Sequence, residues 1–221
     1  MALTIQFPDP READDKGLVA VGGELSNDYL LAAYAQGVFP WFNEGEPILW
    51  WSPNPRMVLF PKDFKCSDSF MQTLRSNKYS VRVDEQFEEV IRNCAEVERP
   101  GQKGTWITKG MIKAYSQLHL DGYAHSVETY RNHKLVGGLY GVSLGKAFFG
   151  ESMFHYERDA SKVALYFLTR LMLKWDFHFI DAQQSTPHLK KMGAVDMERD
   201  QFLLKLEKAL GFPTLKGKWK F

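Results

Sequence analysis

The sequence predicts an α+β fold: a layered domain of sheet and helices with a smaller unit at its N-terminal end. Three observations predict it. The hydrophobic pattern changes from helical to alternating near residue 124 and back to helical after residue 159. Tight turns cut the alternating stretch into consecutive strands, which makes an antiparallel meander. The first sixty residues, by contrast, are rich in Pro and Gly and offer one clear helix.

That helix is capped by Ser26 or Asn27, carries Tyr29, Leu30, Ala33 and Tyr34 at helical spacing, and ends at Gly37. The stretch from Gly37 to Arg56 then sets Trp41, Trp50 and Trp51 among Pro40, Pro47, Pro53 and Pro55. No helix and no long strand runs through those prolines, so irregular backbone is expected to present the rings. Flat rings on a stiff segment suit stacking on a nucleobase. Packing as core is the commoner use of an aromatic residue. Amphipathic helices are expected over 67–77 and 84–98, the second with Phe87, Val90, Ile91 and Cys94 on one stripe. Residues 99–104 read as a flexible loop by composition. Thr108 caps the next helix, whose apolar face is Met111, Ile112, Tyr115 and Leu118.

The meander comprises Ala124–Arg131, Leu135–Val142 and Lys146–Phe154, with turns at Asn132-His133 and Leu144-Gly145. Asp159 is expected to cap the helix that follows, where Val163, Phe167 and Leu171 form one ridge and Ala164, Leu168, Met172 and Trp175 the next. Phe177–Gln183 reads as a strand. Thr186 and Pro187 open a short helix ended by Gly193, and a last amphipathic helix covers about 199–210. The basic tail from Lys216 is expected to be poorly ordered. The smaller unit is taken as residues 1–60, or as far as about 100, and the larger domain as 61–221.

Composition narrows the function classes. With 221 residues and 44% hydrophobic content the chain can bury a substantial core. Its formal net charge of +1 means that a nucleic-acid partner must be met by a local basic patch. Lys103, Lys109 and Lys113 around Trp106, with Lys190, Lys191 and the tail lysines, could supply one, although charge runs usually just solvate a surface. Two cysteines, Cys66 and Cys94, argue against a disulfide scaffold or structural zinc and for a reducing compartment. No signal peptide is evident and no run approaches a membrane span, so a cytoplasmic location is expected. The histidines show no HExxH or HxxxH pair, so no metal site is expected.

The strand ending Phe-Ile-Asp-Ala-Gln183 holds the sharpest chemical clue. Alternation places Phe177, Phe179, Asp181 and Gln183 on one face, with the carboxylate beside the carboxamide near the sheet's edge. Such a pair can accept a proton and orient a neighbour; alternatively, it caps the next helix or satisfies loop amides. Glu151 is the sole charge in the apolar strand Phe-Phe-Gly-Glu-Ser-Met-Phe154 and needs a partner or a raised pKa. It can hold a cationic group of a ligand or form a salt bridge to Lys162 or Arg158. Gly137, Gly138, Gly141, Gly145 and Gly150 match no phosphate-loop order and read as bulge, close-approach and turn glycines. GxSxG is missing, which disfavours a serine hydrolase.

An ordered set of motifs carries a resemblance to a known family. In sequence these are Leu18-Val-Ala-Val-Gly-Gly-Glu-Leu25, Gly37-Val-Phe-Pro-Trp-Phe42, Leu49-Trp-Trp-Ser-Pro53, Gly104-Thr-Trp-Ile107, Gly122-Tyr-Ala-His-Ser-Val-Glu128, Leu135-Val-Gly-Gly-Leu-Tyr-Gly141, Phe149-Gly-Glu-Ser-Met-Phe154, Ala160-Ser-Lys162 and Ile180-Asp-Ala-Gln183. The chain closely resembles the bacterial leucyl/phenylalanyl-tRNA–protein transferases from about residue 7 to about residue 210. The resemblance implies a small N-terminal domain and a C-terminal domain of acetyltransferase-like (GNAT-type) fold. It implies transfer of Leu or Phe, and Met more weakly, from aminoacyl-tRNA to an N-terminal Arg or Lys of an acceptor protein, marking that protein for degradation by the N-end rule, without a cofactor. By position it implies catalytic roles for Asp181, Gln183 and Glu151. It places Trp41 and Trp106 near the terminal adenosine of the tRNA. It lines a donor side-chain pocket with Leu139, Phe148, Met153, Leu168, Met172 and Ile180. An acetyl-CoA-dependent N-acetyltransferase and a non-catalytic RNA-binding module are the competing readings. The first would want a glycine-bearing pyrophosphate turn within residues 155–162, and none is present.

Overall fold

The computed structural model describes residues 5–97 and 105–220. The expected loop at 99–104, with Lys103, lies outside them. In chain order the elements are β1 (Leu18–Val21), α1 (Asn27–Ala35), β2 (Phe39–Pro40), β3 (Leu49–Trp51), β4 (Arg56–Leu59), α2 (Asp68–Arg75), β5 (Ser80–Val83), α3 (Phe87–Glu96) and α4 (Lys109–Leu120). After these come β6 (Ala124–Arg131), β7 (Lys134–Leu144), β8 (Ala147–His155), α5 (Ala160–Lys174), β9 (Phe179–Gln183), α6 (Pro187–Lys191), β10 (Val195–Met197) and α7 (Arg199–Leu210).

The expected meander forms the centre of a seven-stranded sheet of order β10-β4-β9-β8-β7-β6-β5. Neighbouring strands run antiparallel except β8 and β9, which are parallel and joined by the crossover helix α5. A second sheet, β1-β3-β2, belongs to the N-terminal segment. Alternation along the strands feeds two cores. Tyr140, Phe149 and Phe179 pack with α1, α3, α4 and α7 on one side. Leu139, Phe148 and Ile180 pack with α5 on the other. Fully burying one such side chain is worth about 1.5–3 kcal/mol, and the sheet buries side chains on both faces.

Local chemistry sets the helix starts. Ser26, Thr108 and Thr186 each accept a hydrogen bond from the backbone N–H three residues on, as N-caps do. Asp159 departs from this expectation. It stands before α5 but in a left-handed conformation (φ 65°) with no capping bond. Its carboxylate instead accepts from Lys162 Nζ at 2.8 Å and Thr73 Oγ1 at 3.0 Å, tying α5 to α2.

Three further expectations are corrected. Trp50 and Trp51 lie on a short strand, β3, rather than on irregular backbone, because Pro47 and Pro53 fall just outside the three paired residues. Strands β1, β2, β4, β5 and β10 add to the expected set; each has two to four residues, too few to display a period. The tail is ordered. Trp219 is buried, Gly217 N–H donates to Gly122 O at 3.0 Å, and Trp219 N–H donates to Asp84 Oδ2 at 2.7 Å.

Candidate functional site

The site lies where β8 and β9 part. Their parallel register covers only Ala147↔Phe179, Phe148↔Ile180 and Phe149↔Asp181, and beyond it the strands diverge. Each strand also carries an extra residue at this point. Tyr140 faces Ser152 and Gly141 faces Gly150, which leaves Glu151 unmatched on β8. Met57 faces Gln183 and Val58 faces Asp181, which leaves Ala182 unmatched on β9. A β-bulge re-aims the side chains beside it. Gln183 then takes φ 54°, in the left-handed region.

These irregularities separate Asp181 from Gln183, which alternation had placed on a common face. Asp181 is fully buried and takes a two-pronged ion pair from Arg56: Nε to Oδ1 at 2.8 Å and Nη2 to Oδ2 at 2.6 Å. Arg56 is fully buried too. Its Nη1 donates to Gly37 O at 3.1 Å, and its guanidinium lies over the rings of Phe202 (4.5 Å) and Phe39 (4.9 Å). Asp181 Oδ1 also accepts the backbone N–H of Gln183 at 2.9 Å. Arg56 and Asp181 thus form a charged strut beneath the site, and the strut holds the strained Gln183 backbone in place.

Gln183 and Glu151 meet above it. The Gln183 amide Nε2 donates to Glu151 Oε1 at 3.0 Å, and the Tyr115 hydroxyl donates to Glu151 Oε2 at 3.1 Å. The Tyr34 hydroxyl bonds to that of Tyr115 and adds its influence on Glu151 from there. Glu151 pairs with neither Lys162 nor Arg158, the two partners weighed from sequence; Lys162 and Arg158 both lie against Asp159. Burial pushes the Glu151 carboxyl up to about 7, the nearby Asp181 charge adds to that, and the tyrosine hydrogen bonds oppose it. The Tyr34 and Tyr115 hydroxyls are held well above their usual range by burial first and by the Glu151 charge second.

Two hollows open on either side of this pair. The first, of about 150 Å³, is apolar and is lined by Leu139, Phe148, Met153, Leu165, Leu168, Ile180 and Leu189, with Gly150, Glu151 and Gln183 at its mouth. The second, of about 320 Å³, is lined by Phe39, Pro40, Trp41, Asn43, Thr105, Trp106, Gln184 and Thr186. Glu151, Ala182 and Gln183 border both. The structure therefore brings together Glu151, Gln183, Trp41, Trp106 and five of the six apolar residues singled out from sequence. Met172 lies in the core behind the first hollow without lining it, and Asp181 lies beneath. The tryptophans of the Pro-rich stretch divide: Trp50 is core, Trp51 is half-buried, and Trp41 is 40% exposed at the hollow.

Sequence reasoning missed three members of the site. Tyr34 and Tyr115 were read only as parts of apolar helix faces; the signal was a hydroxyl on a core-facing stripe, which must find a partner once buried. Arg56 opens the apolar run Met-Val-Leu-Phe60, and a lone guanidinium there calls for a buried carboxylate in the same way.

A mostly antiparallel sheet with one parallel crossover pair, helices on both faces and a cleft at the parting of that pair agrees with the acetyltransferase-like fold that the sequence resemblance implies. Its first helix turn after the meander holds Asp159 where a pyrophosphate would need free amides and glycines. Comparison with known proteins narrows the class. The profile of the family "Leucyl/phenylalanyl-tRNA protein transferase" matches residues 58–207, and that of its N-terminal domain matches residues 23–54. The leucyl/phenylalanyl-tRNA–protein transferase of Desulfatibacillum aliphaticivorans is 51% identical over 99% of this chain and 94% of its own length. That of Legionella pneumophila (strain Corby) is 52% identical over 96% of this chain and 95% of its own. The chain belongs to the leucyl/phenylalanyl-tRNA–protein transferase family. Among solved structures, an aminoglycoside acetyltransferase from a soil metagenome is similar at TM-score 0.37 and 12% identity, covering 61% of this chain and 88% of that one.

Proposed function

We propose that this protein is an aminoacyltransferase that moves Leu or Phe, and Met more weakly, from charged tRNA to the N-terminal Arg or Lys of an acceptor protein. The observation that carries the reading is the joining of two unlike hollows at Glu151 and Gln183. An apolar recess of that size suits one uncharged side chain, and a charged or polar one would be buried there unpaired. The neighbouring recess, flanked by Trp41 and Trp106, suits the terminal adenosine, on which the rings would stack. The scissile ester then lies over the shared border. Residues up to about 55 act as the unit that brings Trp41 to the cleft, and the catalytic domain begins earlier than the expected residue 61, with β4 (Arg56–Leu59), which lies inside its sheet.

The donor ester is already activated. The acceptor's neutral α-amine attacks its carbonyl carbon, a tetrahedral oxyanion forms, and its collapse leaves an amide and frees the ribose hydroxyl. Gln183 spends its Nε2 on Glu151, so its Oε1 is the atom available to receive an N–H of the attacking amine. A carboxamide is too weak a base to take that proton. The proton passes to the departing ribose oxygen, with the neighbouring 2′-hydroxyl or a water as carrier. Asp181 works through Gln183 as a positioning residue. Orientation of this kind is worth up to about 7–11 kcal/mol of barrier. Glu151 supplies the negative charge that selects a cationic acceptor, with Asp181 neutralised by Arg56. Acceptors of this kind are cytoplasmic proteins, whose new N-terminus then marks them for degradation.

The test is transfer of labelled leucine from leucyl-tRNA to peptides beginning with Arg, Lys or Ala. Product on the first two and little on the third is expected. Absence of transfer to any of them overturns the proposal. An Arg:Ala ratio that is the same in the parent and in Glu151→Gln removes Glu151 as the selector.

A further inference from the structure

We propose that Trp219, on the C-terminal tail, is a specificity-determining residue that sets the depth of the apolar recess by buttressing Phe148 from behind. The inference rests on the reading of that recess as the donor side-chain pocket. Phe148 lines the recess and is itself fully buried. On one side its ring leans into the gap left by Gly141, where an added Cβ would sit 2.6 Å from two ring carbons. On another side stands the Trp219 indole, with ring centres 5.9 Å apart. The recess wall is therefore one ring thick, and the tail provides its backing.

Several bonds pin that backing. The indole stacks on His125 at 3.7 Å and 7°, and its Nε1–H donates to Leu215 O at 3.0 Å. The backbone N–H of Trp219 donates to the buried Asp84 carboxylate. Further back, Thr214 Oγ1 accepts the N–H of Gly145 at 2.9 Å. Gly217 lies so close to Gly122 that a Cβ on Gly122 would come within 2.4 Å of its nitrogen. A tail serving only solubility would need none of these. Trp219 reaches instead to the back of the Phe148 ring, which on the strand side packs directly on Gly141.

Removing the indole lets the Phe148 ring retreat, which enlarges the recess and favours the larger donor. The experiment uses the full-length chain and its Trp219→Ala, Trp219→Leu and Trp219→Phe variants. It measures kcat and KM for transfer of Phe and of Leu from their tRNAs to one Arg-initiated peptide, at a temperature where each variant is folded by circular dichroism. Simple loss of stability lowers both donors alike and cancels in the ratio of their kcat/KM values. In Trp219→Ala the Phe:Leu ratio is expected to rise about tenfold, the scale on which an apolar pocket discriminates by one methylene. The shift should be carried mainly by KM. Trp219→Leu should fall between, and Trp219→Phe, which keeps an aromatic ring behind Phe148, should hold the ratio within about twofold of the parent's. A ratio that stays constant in Trp219→Ala and Trp219→Leu overturns the proposal, and if the alanine variant does not fold the leucine variant decides alone. If the parent transfers neither donor, the pocket reading falls and this inference with it; parent transfer with an unmoved ratio sinks the buttress alone.

Discussion

Replacing Glu151 with Gln should change how stability depends on pH, and the structure sets the size of the change. Burial raises the Glu151 carboxyl from 4.5 in the free chain to about 7 in the folded protein. Below pH 4.5 the group is protonated in both states and costs nothing. Between 4.5 and 7 the unfolded chain releases the proton while the folded protein keeps it, so stability falls as pH rises. Above 7 the loss is complete. At 1.36 kcal/mol per unit, the total is about 3 kcal/mol. For a chain of this length that corresponds to about 6–12 °C in Tm. Glu151→Gln removes the titration but keeps the size and one acceptor oxygen. Its Tm should match the parent's near pH 4.5 and exceed it by that amount at pH 8. Differential scanning calorimetry of both proteins from pH 4.5 to 8 tests this. Glu128, a second carboxyl raised to about 7 mainly by burial, tilts both curves equally and drops out of the difference. Parallel curves would refute the assignment and show that water or Tyr115 relieves the charge.

The Arg56–Asp181 strut predicts strong coupling. Arg56→Met or Asp181→Asn alone should cost about 3–5 kcal/mol by leaving a buried group uncompensated, and the double variant should cost clearly less than the sum of the two. Additive losses in urea unfolding would deny that the pair acts as one unit. Trp41→Ala and Trp106→Ala should each raise KM for aminoacyl-tRNA while kcat holds, by the stacking of about 1–3 kcal/mol per base; an unmoved KM removes that ring from the tRNA contact. Gly141→Ala would set a Cβ 2.2 Å from Phe149 O and against the Phe148 ring. It should destabilise by about 1–3 kcal/mol, and an unchanged Tm would refute the close approach.

The legible parts of this fold are those with a local cause. Strands β6, β7 and β8 and helices α1, α4 and α5 announced themselves by period, and Ser26, Thr108 and Thr186 by side chains that can cap. The short strands had no such signal. Arg56–Leu59 is a strand because Asp181 and Ile180 on one side and Val195 on the other complete its hydrogen bonds, and those partners lie far away in the chain. The order of the tail is hidden from composition for the same reason. Its composition is that of a solvated end, and its order comes from Asp84, His125 and Gly122, none of which is near in sequence.

At the site itself the residue types were readable and their geometry was not. Alternation put Asp181 and Gln183 side by side, because period-2 reasoning assumes an unbroken strand. One extra residue at Ala182 turns the carboxamide outward and leaves the carboxylate inside, and one at Glu151 turns that carboxylate toward it from the facing strand. The two bulges have opposite partners and a common result. They place a donor amide against an acceptor carboxylate at 3.0 Å across a gap that the parallel ladder would otherwise have closed. Had both strands kept their register, Phe149↔Asp181 would have been followed by further pairs, and the space now shared by the two hollows would be filled by ladder. The cleft thus exists because pairing fails there. The charged strut of Arg56 and Asp181 holds the failed segment open, and so a fully buried ion pair, costly to desolvate, is placed under the residue with the least favourable backbone in the site.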